Sequence, residues 1–169
     1  MAIFHARLSG ADRIKTASAR LGELHLNPDS LDTPGLPAQT AEFQVVVPYV
    51  DPKITANVVD RAVGLASGLN ATLHLVAVYV APYPTELRFP ETMKEHLTAR
   101  LTELAERSAL PARVDLVVAR DRLAGFCQVL RPGSAVLLGT RRRWWWTREE
   151  RLARALAREG HRVSLLHFN

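Results

Sequence analysis

A disulfide needs two cysteines, and this chain of 169 residues has one, Cys127, so no internal bridge staples it. No apolar run reaches the length that a membrane-crossing helix needs; the longest are strand-sized. The amino-terminal stretch is broken by His5 and Arg7, which does not make a secretory leader. Together these absences set the expectation of a cytoplasmic protein. Catalytic signatures are missing as well. There is no G-x-S-x-G elbow, no H-E-x-x-H, no Walker loop and no G-x-G-x-x-G. The histidines stand singly, so no metal site is expected. His74 lies inside an apolar strand and reads as a packed residue, Glu91 and Glu95 as a solvated helix face, and Cys127 as a small buried apolar residue. Nothing assembles nucleophile, base and oxyanion donors, so no catalytic residue is assigned and no enzyme is expected.

What is present is unevenly spread. From Arg141 onward there are 8 arginines against 3 glutamates, which leaves 14 basic and 14 acidic residues of the chain's 22 and 17 for positions 1–140. The net charge of +5 is therefore a property of the carboxyl-terminal stretch alone. Such a patch suits an anionic partner: a nucleotide, nucleic acid, acidic lipid or acidic protein surface; a solvated helix face reads equally well from charge alone. Within it, Arg141-Arg142-Arg143-Trp144-Trp145-Trp146 gathers all three tryptophans of the chain behind three arginines.

Residues 1–41 read as an amino-terminal extension. Ile14, Ala17, Leu21 and Leu24 recur at helical spacing, and a proline-marked linker follows over 27–42. The folded domain is expected over 42–169. The run FQVVVPYV at 43–50 is apolar and β-branched, as a strand buried on both faces must be. A helix over 54–69 follows, then strands at 71–80, 112–119, 134–140 and 162–168, separated by helices over 91–108, 122–130 and 148–159. Asp121 is a candidate N-cap, Thr147 with Glu150 fits a capping box, and Gly160 suits a helix end. Strictly alternating strands and helices imply a five-stranded parallel sheet with helices on both faces. Ligands of such a sheet bind at the carboxyl ends of the strands, where strand order reverses. Residues 48–51, 119–121 and 139–146 are expected to meet there.

Several stretches resemble a known family. DRAVGLASGLNATLHLVAVYV at 60–80 is similar to the first helix and second strand of the universal stress proteins. VVVPYVD resembles their first strand, which usually ends V-P-x-D, and VDLVVARD and SAVLLGT resemble their third and fourth. The resemblance covers residues 42–169. It implies the adenine-nucleotide-alpha-hydrolase-like, universal stress protein fold, often dimeric, with ATP or AMP as the ligand of its nucleotide-binding members. Those members carry G-x-x-G after the fourth strand and a later G-S or G-T. Here Gly139 matches the first glycine, Arg142 stands at the second, and no glycine follows before Gly160. After the first strand, Asp51-Pro52-Lys53 replaces the usual Asp-Gly-Ser.

Asp51, Gly139, Thr140, Arg141 and Arg142 are thus the candidate degenerate nucleotide or anion site. Trp144, Trp145 and Trp146, with Arg143 and Arg148, read as a plug filling the cleft mouth or as an interaction surface. The expected function is a non-catalytic sensor or regulatory module of universal-stress-protein type, in the stress response, acting through protein contact or a weakly bound anion, with no required cofactor. The alternatives are an ATP- or AMP-binding universal stress protein with slow or no hydrolysis, and a peripheral regulatory domain of a membrane transporter or sensor. The apolar last strand, a candidate open sheet edge, makes a homodimer the expected assembly. A membrane surface is a further partner to consider, and nucleic acid is not expected, because no single-strand-binding fold surrounds the cluster.

Overall fold

The computed structural model describes residues 3–8, 43–66, 68–142 and 147–169. Six strands and four helices follow in the order β1 (Ile3–Leu8), β2 (Phe43–Pro48), α1 (Pro52–Ala66), β3 (Ala71–Val80), α2 (Glu91–Arg107), β4 (Ala112–Ala119), α3 (Arg122–Cys127), β5 (Ala135–Arg141), α4 (Arg148–Arg158) and β6 (Arg162–Phe168). They form one sheet in the order β1-β4-β3-β2-β5-β6. The five strands from β2 to β6 run parallel, and the inner ones, β2 to β5, carry the two-sided apolar runs of a sheet covered on both faces.

β1 is the addition. It pairs antiparallel with β4, Ile3 opposite Val117 and Leu8 opposite Ala112, so the stretch read as extension supplies a sixth, edge strand. The candidate helix around Ile14 to Leu24 and the linker that follows lie outside the described residues.

Period-two alternation sends each strand's side chains into two cores. Leu73, Leu75 and Ala77 of β3 join Val114 and Leu116 of β4 under α1 and α2, whose Val58, Val59, Leu101 and Leu104 are buried. Val46, Val76, Val136 and Leu138 join Phe126 of α3 and Leu152 and Leu156 of α4 on the opposite face. The caps hold the helices where the sequence put them. Asp121 accepts from the Ala124 amide, and Thr147 and Glu150 make both bonds of a capping box. Gly160 follows α4 at φ +85°, which a residue without a Cβ adopts at little cost.

From β2 the chain winds outward through β3 to β4, then returns to the other side of β2 to lay down β5 and β6. Strand order therefore reverses between β2 and β5, and their carboxyl ends open a crevice there.

Candidate functional site

Two of the expected segments meet at that crevice. Asp51, just past β2, and Arg141, the last residue of β5, bring Oδ1 and Nη2 to 4.0 Å, with side-chain exposures of 38% and 56%. The same Asp51 Oδ1 accepts from the Lys53 and Ile54 amides at 3.0 and 3.2 Å. Asp51 is thus the N-cap of α1, with Pro52 at the first helical position, where its missing amide leaves no gap. Thr55 ties the same turn down, its hydroxyl accepting from the Val50 amide at 3.2 Å.

Gly139, in β5, is packed against α1. A Cβ built on it would lie 2.5 Å from side-chain methyl carbons of both Ile54 and Val58 and 3.2 Å from the Phe168 ring. The missing side chain lets α1 settle onto β5. Thr140 is fully buried, and its hydroxyl shares a 2.9 Å hydrogen bond with that of Thr147, the cap of α4. Arg142 is exposed, and its amide donates to the Phe168 carbonyl at 2.8 Å, continuing the pairing with β6. Arg148 is exposed in the first turn of α4. Arg143, Trp144, Trp145 and Trp146 lie outside the described residues.

The third segment, 119–121, is not brought in by its arginine; the residue after it is. Arg120 turns away from the crevice: its guanidinium donates to the Ala81 and Pro82 carbonyls at 3.2 and 2.7 Å and to that of Thr85, and it stacks 4.6 Å from the Tyr83 ring. Arg122 turns in. It donates to the Tyr49 carbonyl at the end of β2 at 3.3 Å and faces Glu149 of α4 at 3.9 Å, with its side chain 29% exposed. Burial pushes the Arg122 guanidinium below its ordinary value, Glu149 opposes that, and the charge of Arg148 adds to it. Burial likewise raises the Tyr49 hydroxyl, against the pull of Arg100 and with the help of Asp51. Arg122, Glu149 and Tyr49 were not singled out from the sequence. The signal was there: a helix capped by Asp121 after a parallel strand must start at the carboxyl edge, and Arg122 is its first residue.

His74 is packed, as its setting in a strand suggests. Its Nε2 hydrogen-bonds to Asp115 Oδ2 across β3 and β4 at 2.8 Å, both residues buried. Cys127 corrects its reading as a buried residue: it is exposed on α3. Its thiol is held above its ordinary value by desolvation, then by Glu159 and Asp121, which keeps it in the poorly nucleophilic protonated form. Among the described residues no group of His, Cys, Asp and Glu is placed to hold a metal ion. No helix among them is long and apolar enough to cross a membrane.

The layered sheet, its strand order and the crevice between β2 and β5 give the chain the universal stress protein fold. Two solved structures carry the comparison. A universal stress protein from Archaeoglobus fulgidus superposes with TM-score 0.54 at 14% identity, covering 75% of this chain and 93% of that one. A member of the same family from Burkholderia pseudomallei does so with TM-score 0.50 at 18% identity, over 76% and 97%. A universal stress protein in complex with cAMP is 21% identical over 76% of this chain and 98% of its own, at TM-score 0.49. No protein-family model matches the sequence. No curated protein matches it either.

Proposed function

We propose that this protein is a non-catalytic regulatory module that holds a small anion weakly, by guanidinium groups, at the β2/β5 crevice and acts through contact with a protein partner. One observation carries the reading. In the resembling nucleotide-binding members, glycines let backbone amides approach phosphate; here the amide of Arg142, at the second glycine position, already donates to Phe168. Gly139, at the first, is closed in by Ile54 and Val58. The donors left at the crevice are the side chains of Arg122, Arg141, Arg142 and Arg148, of which Arg122 is the most preorganised, held between Tyr49 and Glu149.

Calorimetry tests it. Pyrophosphate is expected to bind weakly, without magnesium, and less well to Arg122→Gln, while Mg-ATP gives no tight isotherm. Tight, magnesium-dependent ATP binding abolished at Gly139 would overturn the proposal in favour of the ATP- or AMP-binding reading.

Homodimer formation is part of the proposal. β6 hydrogen-bonds to β5 alone among the described strands, and Val163, Leu165, Leu166 and Phe168 along it are only partly buried. An edge of this composition favours a covering partner, and a second copy supplies one. Light scattering at micromolar concentration is expected to give twice the chain mass; a monomer counts against it.

A further inference from the structure

The crevice already holds two carboxylates, and they are not equivalent. Asp51 has its oxygen engaged by the Lys53 and Ile54 amides as the cap of α1. Its pair with Arg141 is the more open to water, and water and salt screen such a pair. Glu149 is covered more deeply. It stands in the first turn of α4 with its side chain 18% exposed, 3.9 Å from the half-buried guanidinium of Arg122.

That distance is too long for a hydrogen bond. The N–H that fixes Arg122 in place is the one donated to the Tyr49 carbonyl at 3.3 Å. What Glu149 supplies is charge, and it is the charge that offsets the burial of the guanidinium. In a partly covered site the attraction between the two is weakly screened. An added anion and Glu149 therefore compete for the same positive charge.

We propose that Glu149 sets the affinity and the ligand class of the crevice: its carboxylate stands in for the anion on Arg122 and surrenders the guanidinium when a phosphate-type ligand arrives. The inference rests on the reading of the crevice as an anion site. It accounts for weak binding, because the ligand must first undo a contact the protein makes with itself. It also favours phosphate esters and pyrophosphate over carboxylates. A carboxylate ligand exchanges one such group for another, whereas a phosphate group brings more charge and more acceptor oxygens. A carboxylate in the first turn of a helix also stabilises that helix. If bracing α4 were its whole role, removing its charge would lower anion affinity or leave it alone. Competition for Arg122 has the opposite sign.

Calorimetry of the full chain with pyrophosphate tests it. Glu149→Gln keeps the shape and removes the charge, and its affinity should rise about tenfold over the parent. Glu149→Ala should show the same sign. With Arg122→Gln also present, the gain should shrink to about threefold or less, because the carboxylate acts through that guanidinium. Glu106→Gln makes the same change in net charge at an exposed site near the end of α2 and should leave affinity unchanged. Circular dichroism checks that each variant is folded. A parent that binds pyrophosphate while Glu149→Gln binds it no more tightly overturns the inference and leaves the anion crevice standing. An equal gain with and without Arg122 overturns it too, since the carboxylate would then act by general repulsion. Failure of both the parent and Glu149→Gln to bind removes the anion reading, and this inference with it.

Discussion

Midway along β3 and β4, Asp115 takes a hydrogen bond from His74 at 2.8 Å and a forked pair from Arg113 at 3.2 and 2.9 Å, and its side chain is 0% exposed. At the carboxyl ends of β2 and β5, Asp51 stands 4.0 Å from Arg141 with both side chains open to water. Both clusters set a carboxylate against basic side chains: Asp115 against His74 of β3 and Arg113 of its own strand, Asp51 against Arg141 of β5. In the first, the carboxylate is saturated and dry, so its value lies in the fold: removing a partner strands a buried charge. In the second, Asp51 already serves α1 as a cap, and the guanidinium groups around it outnumber the carboxylates, so attraction for an added anion remains. A charged group inside a sheet is structural when its donors and acceptors balance, and available for binding when they do not.

Five substitutions probe that contrast, the first four in order of falling effect on stability and the last on binding. Asp115→Ala leaves the buried Nε2 of His74 without this acceptor and opens a cavity between β3 and β4, and should cost about 2–3 kcal/mol by urea denaturation. A loss under about 1 kcal/mol would mean that the inner cluster is no more committed to the fold than the outer one. Gly139→Ala forces a methyl against Ile54 and Val58 and should cost about 1–3 kcal/mol while leaving pyrophosphate affinity intact, because the position serves packing. Asp51→Ala removes the cap of α1, worth about 1 kcal/mol in thermal unfolding. Arg141→Gln should move stability by less than about 0.5 kcal/mol, as an exposed pair does. Arg122→Gln is the sharpest test of the outer cluster: pyrophosphate affinity should fall about tenfold, the scale of one charge-assisted hydrogen bond. If stability falls instead and affinity does not, Arg122 belongs with Asp115.

How much could be read from the residues follows the range of the forces. The five parallel strands were legible because each is a short, mainly apolar run set off from its neighbours by helix and turn signals. The caps at Asp121 and Thr147 were legible because they bond within three residues. The meeting of Asp51 with Arg141 followed from topology alone. β1 was not legible: His5 and Arg7 interrupt its apolar pattern, and its partner strand begins at Ala112. The His74–Asp115 bond joins residues 41 apart in sequence and depends on strand register, which no local pattern reports. Gly139 looked like a phosphate glycine because the helix that occupies its missing side-chain space comes from a distant part of the chain.

The hydrogen bond between the hydroxyls of Thr140 and Thr147 has a consequence for how such a protein can change. It works as a clasp: the two ends of the intervening segment are fastened together by residues belonging to the strand and to the helix cap. Whatever is strung between them starts from ends already joined, and doubling a loop's length adds only about 0.6 kcal/mol to its closure. A change of length after Arg142 is expected to leave β5 and α4 as they are.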